Sequence, residues 1–240
     1  MSSENGAKEQ VNAVPAKAKI LAVMFSPRGK GNTEVMLEHG VAGALEVPGI
    51  EVETWRMVGK KISTCIACHK CKTLGTCFQD DDFQPFLEKW LAADGLLYAA
   101  PVFHFGIPGS AKNIIDKLAH VMFAKFNRKL PRFLKPAGVI AQGSSRFGGQ
   151  EVEIQNFHGG LLMMNCLPVS GDTPGSYIGA PGFAPTWDKG SIKDDEPSLA
   201  VARNLGRRVA ETTLIVKAGL QAMETELPEG YYYTWQQTGL

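Results

Sequence analysis

Short, nearly uniform apolar runs alternate with longer stretches of helical period along this chain, and that alternation restricts the fold more than any other feature. Ile20–Phe25, Leu96–Ala100 and Pro136–Ala141 carry almost no polar side chain, the pattern of strands covered on both faces. Ile50–Val58 alternates instead, with Val52, Thr54 and Arg56 opposed to Glu51, Glu53 and Trp55, and Cys166–Val169 makes a short fifth strand. Between the runs, apolar residues step by three and four. Phe83, Phe86, Leu87 and Trp90 share one helical face, Ile114, Leu118 and Val121 a second, and Ile154, Phe157, Leu161 and Met164 a third. Asn32–Leu45 is a helix supported more loosely by Val35, Val41 and Leu45, and a last helix over Pro197–Met223 turns Ala202, Leu205, Val209, Thr212 and Val216 inward. Asp80, Asp81 and Asp82 suit the dipole at the start of one helix, and Ser110 is placed to cap another.

Strand and helix in strict alternation give parallel strands joined by crossover helices. The expected architecture is an α/β, three-layer αβα sandwich around a five-stranded parallel sheet, filling residues 18–224 as one domain. A mobile amino-terminal tail at 1–17 and an aromatic tail at 225–240, with Tyr231, Tyr232, Tyr233 and Trp235, flank it. Residues 171–194, rich in glycine and proline, fit no element and are too long for a simple connection. They are expected to form a lid or an interface loop.

The balance of 25 basic and 24 acidic residues, with 44% hydrophobic and 20% charged side chains, is that of an ordinary globular domain and excludes disordered, collagenous and coiled-coil classes. The longest nearly apolar run, Gly95–Phe103, is half of what a membrane helix requires, and no basic-then-apolar leader opens the chain. The expectation is a cytoplasmic protein with no membrane and no nucleic-acid partner. Residues 112–135 hold seven Lys or Arg against the single acid Asp116. That segment suits a solvated helix face, or else a surface for an acidic electron-transfer partner or for the extra phosphate of NADPH.

In a sheet of this kind ligands collect beyond the carboxyl ends of the strands, where strand order reverses. The loop after the first strand is Ser26-Pro27-Arg28-Gly29-Lys30-Gly31-Asn32-Thr33. Glycines admit an anion to backbone N–H groups, Ser26, Asn32 and Thr33 add neutral donors, Arg28 adds charge, and a helix begins at once. The spacing matches neither the P-loop nor the dinucleotide fingerprint. A bare glycine-rich turn capped by Thr33 is the alternative. After the third strand, Pro101-Val102-Phe103-His104-Phe105-Gly106 is apolar and aromatic where a surface loop is normally polar, which suits a flat ring. After the fourth, Gly143-Ser144-Ser145-Arg146-Phe147-Gly148-Gly149 exposes backbone donors that could meet a heteroaromatic edge. Phosphate and planar ring together imply a mononucleotide such as FMN. His104 is taken as a packed histidine, with a flavin hydrogen bond as the sharper alternative.

Four of the five cysteines fall within thirteen residues as Cys65-x-x-Cys68-x-x-Cys71 and then Cys77. Overlapping Cys-x-x-Cys knuckles present three thiolates to one inorganic core, and Cys77 supplies a fourth, the donor set of a 4Fe-4S cluster. Structural zinc, which prefers two knuckles separated by a longer spacer, and metal-free thiols are the competitors. His69 is left as an outer neighbour or a solvated side chain, and Cys166 as a small buried hydrophobe.

The Ser-Pro-Arg-x-x-Gly-Asn-Thr loop at 26–33, the compact cysteine motif ahead of Asp81-Asp82 and Pro-Val-Phe-x-Phe-Gly at 101–106 together resemble the iron–sulfur flavoproteins, within the NAD(P)H-dependent FMN reductase branch of flavodoxin-like proteins. The likeness spans residues 18–170. It implies that Ser26, Arg28, Gly31, Asn32 and Thr33 hold the FMN phosphate. Pro101, Val102, Phe103, His104, Phe105 and Gly106 would flank the isoalloxazine, and Gly143, Ser144, Gly148 and Gly149 would meet its pyrimidine side. It further implies a homodimer or homotetramer, NAD(P)H or a ferredoxin-type protein as electron donor, and an oxidoreductase that couples FMN to the cluster through Cys65, Cys68, Cys71 and Cys77. Two other functions fit the same residues: a cluster-free FMN or quinone reductase whose cysteine loop is structural or binds zinc, and a non-enzymatic flavodoxin-like electron carrier.

Overall fold

The computed structural model describes residues 17–234. The predicted tail at 1–17 therefore lies almost wholly outside the described residues, as does Trp235. In chain order the elements are β1 (Ala18–Met24), α1 (Asn32–Leu45), β2 (Ile50–Arg56), α2 (Cys71–Leu74), α3 (Phe83–Ala92), β3 (Gly95–Pro101), α4 (Gly109–Lys125), β4 (Pro136–Gly143), α5 (Gln150–Met163), β5 (Leu167–Pro168), β6 (Ala180–Phe183), a 3-10 turn at Ser191–Asp194 and α6 (Glu196–Ala222).

All strand pairs are parallel, in the order β2-β1-β3-β4-β5, with β6 also on β4. The expected parallel sheet is present as a five-strand path, and β6 adds a sixth strand beside β4. The fifth predicted strand contracts to Leu167–Pro168, beside Pro136 and Ala137 at the start of β4, while β6 takes up the far half of the same edge, beside Ile140–Gly143. The second half of that edge comes out of the segment that fitted no element. Four residues with two glycine or proline positions, Ala180-Pro181-Gly182-Phe183, carry too little periodicity to announce a strand.

Alternation along each strand divides the core in two. Leu21 and Val23 of β1 with Phe25 just beyond it, Leu96, Tyr98 and Ala100 of β3, and Val139 and Ala141 of β4 pack under α3, α4 and α5. Ile20, Ala22 and Met24, Leu97 and Ala99, and Ile140 pack under α1 and α6. In the first layer Trp90 Nε1 donates to the Tyr98 hydroxyl at 2.8 Å, which satisfies both buried polar groups. Tyr233 of the aromatic tail reaches the same layer, its ring 4.9 Å from that of Phe133.

The two helices of the other layer cross at glycines. A Cβ on Gly206 would lie 1.8 Å from the Gly40 carbonyl oxygen, and one on Gly43 1.9 Å from that of Arg203. This close crossing explains the weak apolar period of α1: its contact face is Met36, Leu37, Gly40, Gly43 and Ala44, and Leu45 points to solvent. It also turns α6 slightly from the expected phase, so that Thr213 and Ala210 are buried and Thr212 and Val216 are only half-buried. Ser110 does not cap α4, whose boundary residue is Pro108; its hydroxyl donates instead to the Phe25 carbonyl at 3.4 Å. The cationic 112–135 segment is not wholly a solvated face either, because Lys117 and Lys135 are buried.

Candidate cofactor cleft and cysteine cavity

Strand order reverses between β1 and β3, and the loops beyond their carboxyl ends enclose a cleft of about 700 Å³, within the range of small-molecule sites. Ser26, Arg28, Gly31, Asn32, Thr33, Pro101, Val102, Phe103, His104, Phe105, Gly143, Ser144 and Gly148 all line it. Gly106 and Gly149, expected alongside them, do not. Gly106 closes the turn behind the aromatic residues, and Gly149 backs onto Phe105, whose Cα would sit 2.9 Å from any Cβ placed there.

The loop at 26–31 ends at Gly31, and no side chain caps α1. The expected alternative of a Thr33 cap is therefore not what forms: Thr33 Oγ1 turns to Gln142 Oε1 at 3.3 Å. The first N–H groups of α1 remain open to an anion, at the positive end of the helix dipole. Ser26 Oγ accepts from the Arg28 amide at 3.2 Å and shapes the turn. Glu34, the acid of the first helical turn, is drawn away from the cleft by Arg56 Nε at 2.7 Å. Burial alone would raise its pKa, but Arg56 and the Lys30 amide outweigh that and hold the carboxyl below its usual range.

The second wall is a two-residue hairpin. Phe103 and Gly106 exchange both backbone hydrogen bonds, at 2.9 and 3.0 Å, around His104 at φ 49° and Phe105 at φ 64°. Two consecutive non-glycine residues in the left-handed region are costly, and such strain concentrates at functional sites. The result is that Phe103, His104 and Phe105 are all exposed at the cleft, so His104 is not a packed histidine. Across from them, Gln150 Oε1 accepts from the Gly148 amide at 3.0 Å, and its Nε2 donates to the Ser145 and Gly182 carbonyls, the latter at 3.3 Å, which holds the glycine loop in shape.

Sequence reasoning missed Gln142, Thr186 and Trp187, which also line the cleft. The last two belong to the unassigned segment, which folds back over the anion loop. Arg28 Nη2 donates to the Trp187 carbonyl at 2.8 Å, and Asn32 Nδ2 donates to the Asp188 carbonyl and to Ser191 Oγ, both at 3.1 Å. The Asn32 carboxamide is thereby engaged within the protein, and its backbone N–H is the group left facing an anion.

Cys65, Cys68, Cys71 and Cys77 line one hollow together with Ile66, Phe78 and, from α4, Lys117, His120 and Val121. The loop that carries them is wound by left-handed residues at Ala67, His69 and Gly75. Its base is fixed by a buried ion pair: Lys117 Nζ meets Asp81 Oδ2 at 2.5 Å with both side chains 1% exposed. The same carboxylate accepts from the Ser63 amide at 2.8 Å and the Phe83 amide at 3.0 Å. Burial would raise the Asp81 pKa, but Lys117 and those amides hold it below the usual carboxylate range. Burial, followed by the neighbouring thiols, pushes the Cys71 thiol up. His69 is solvated and Cys166 buried, as expected. The hollow is narrow, about 20 Å³, and among the described residues no three His, Cys, Asp or Glu side chains are grouped tightly enough to grip a single ion. The donor set, four soft sulfurs on one short exposed loop, is what fits an iron–sulfur core. The hollow lies 8 to 12 residues along α4 from its amino-terminal end, about 12–18 Å at the helical rise.

The family model of NADPH-dependent FMN reductases matches residues 18–175. An iron–sulfur flavoprotein of Methanocaldococcus jannaschii is 32% identical over 199 residues, covering 83% of this chain and 99% of that protein. An iron–sulfur flavoprotein of Archaeoglobus fulgidus is also 32% identical, over 80% of this chain and 95% of its own length. Among solved structures, the WrbA-like flavodoxin of Agrobacterium tumefaciens superposes with a TM-score of 0.52 at 20% identity, over 82% of this chain and 98% of that one, a likeness of fold. With the reversed strand order, the anion loop and the cysteine motif all in place, the chain belongs to the iron–sulfur flavoproteins of the NADPH-dependent FMN reductase family and is a flavin-dependent oxidoreductase.

Proposed function

We propose that the cleft binds FMN and the cysteine loop a 4Fe-4S cluster, and that the protein passes electrons between a two-electron and a one-electron partner. The observation that carries this is the division of labour in the cleft: anion donors at 26–33 at one end, a strained aromatic hairpin at 103–105 at the other, on the switch-point edge of the sheet. FMN supplies hydride or single-electron chemistry and a cubane single-electron chemistry.

The protein's own groups bind and orient. The open N–H groups of α1, Ser26, Arg28, Gly31 and Thr33 receive the phosphate, with Asn32 contributing its main chain. Pro101, Val102, Phe103, His104 and Phe105 support the ring from one side, with Gly106 closing the hairpin behind them. Gly143 and Ser144 offer main-chain groups to its polar edge, in a loop whose shape Gly148 and Gly149 help to set. Cys65, Cys68, Cys71 and Cys77 would ligate iron, on a loop whose base the buried Lys117–Asp81 ion pair holds. NAD(P)H or a ferredoxin-type protein serves as donor. Exposed Phe123 and Met163, which line a groove together with Cys71 of the cysteine loop, support a homodimer or homotetramer. No helix among the described residues is long and apolar enough to cross a membrane.

Anaerobic purification followed by flavin, iron and sulfide determination tests the assignment. One FMN with about four iron and four sulfide per chain is the expected result. Flavin with zinc or no metal selects the cluster-free reductase, and both cofactors without NADH or NADPH turnover selects the electron carrier.

A further inference from the structure

Trp187 is 79% exposed although it lines the cleft, and the segment around it is tied down by hydrogen bonds. Besides the Arg28 bond to its carbonyl, Ser191 Oγ donates to the Thr186 carbonyl at 2.9 Å, Thr186 Oγ1 to Asp188 Oδ2 at 3.0 Å, and the Ile192 amide to Asn32 Oδ1 at 3.3 Å. Ile192 itself is fully buried in the core under α1 and α6. A large indole held by a fixed backbone and left in water is an unmet apolar surface, and a planar ligand in the cleft would cover it.

Placement in the layers strengthens the point. The 184–191 strand-to-helix segment is anchored to the α1 and α6 layer through Asn32 and Ile192. The 103–105 hairpin leads into α4 and the opposite layer. The two aromatic groups therefore stand on opposite sides of one cleft. Arg28 links the nearer one to the anion loop, because a guanidinium has five donors and spends one on the Trp187 carbonyl, leaving others for a phosphate.

We infer that Trp187 is a cofactor-contacting wall of the cleft, opposing the Phe103–Phe105 hairpin, and that Arg28 ties this wall to the phosphate of the bound mononucleotide. The inference rests on the FMN reading above and extends it to a residue beyond the 18–175 span that the family model matches. It makes affinity for a flat ring depend on a side chain that contributes nothing to the core.

The test is titration of flavin-stripped full-length protein with FMN and with riboflavin, in the wild type, Trp187→Phe and Trp187→Ala. Loss of one stacking ring is expected to raise the FMN dissociation constant about 10-fold in Trp187→Ala. Trp187→Phe, which keeps a ring, should restore most of the affinity. Riboflavin binding should suffer in the same order and from a weaker start, since it lacks the group Arg28 would hold. If wild type binds FMN and Trp187→Ala binds it within twofold as tightly, the wall is elsewhere and the inference is wrong. If wild type takes up no FMN at all, the functional reading falls and this inference with it. Because the indole is solvent-exposed, the Ala variant folds, and an unchanged far-ultraviolet circular dichroism spectrum verifies that.

Discussion

Glu153 offers a quantitative test of the reasoning about burial. It sits in the first turn of α5 with no solvent exposure, and neither carboxyl oxygen has a hydrogen-bond partner. Burial alone pushes its pKa from 4.5 to about 9. Below 4.5 the folded and unfolded chains both carry the proton and the residue has no pH effect. Above it the unfolded chain releases the proton while the folded chain keeps it, so stability declines as pH rises until the folded carboxyl itself ionises near 9. The slope is about 1.4 kcal/mol per pH unit, which amounts to about 2.7 kcal/mol between pH 6 and pH 8. His158 and Lys135, whose pKa values burial lowers, the latter to about 8, are common to the wild type and a Glu153 variant and cancel in the difference between them. Glu153→Gln keeps the shape and cannot ionise. Urea unfolding of wild type and variant at half-unit pH steps, with m-values held equal, should show the stability difference shifting in the variant's favour by about 1.4 kcal/mol per unit. Parallel curves from pH 6 to 8 would falsify the assignment and mean that water or a rearranged partner solvates this carboxylate.

Three further outcomes follow from other parts of the structure. Lys117→Met strands the buried Asp81 carboxylate and should cost about 3–5 kcal/mol at neutral pH, while Asp81→Asn combined with Lys117→Met should recover part of it; denaturant midpoints decide. The Asp81 contribution is present above the ordinary carboxylate pKa and is lost as pH falls through its lowered folded value, so the Lys117→Met deficit should shrink in acid. Gly206→Ala drives a methyl into the Gly40 carbonyl and should cost about 3 kcal/mol or more, read as a lowered melting temperature, whereas Gly219→Ala on the same helix meets nothing and should be neutral or stabilising. Cys68→Ala removes an exposed thiol, so unfolding free energy of metal-free protein should change by no more than about 0.5 kcal/mol while bound iron falls sharply; a large stability loss with iron unchanged would count against the ligand assignment.

What could be read in advance follows from the range of the interactions. Fully apolar runs and three-four spacing are local, so β1, β3, β4 and the helices around Phe86 and Phe157 stand where periodicity put them, within a few residues at each end. The anion loop, the aromatic turn and the four-cysteine loop were also visible, because each packs its chemistry into fewer than fifteen consecutive residues. Convergence of the first two on one cleft follows from parallel topology alone. Other features had no local signal. The period of α1 was faint because its contact face relies on Gly40 and Gly43, and Glu153 is hidden beside the Ile154 stripe because a charged residue in a helix normally faces water.

The sequence by itself settled the class of fold, the edge of the sheet where a ligand belongs and the kinds of donor present there, since these depend on pattern and residue type. Tertiary structure decided which donors are already occupied, that 171–194 yields the sixth strand and then lays Trp187 beside Arg28, and that Lys117 lies buried under the cysteine loop. Those outcomes depend on contacts between residues more than a hundred positions apart, as between Arg28 and Trp187, or on exclusion of water, and neither quantity is written in any short stretch of chain.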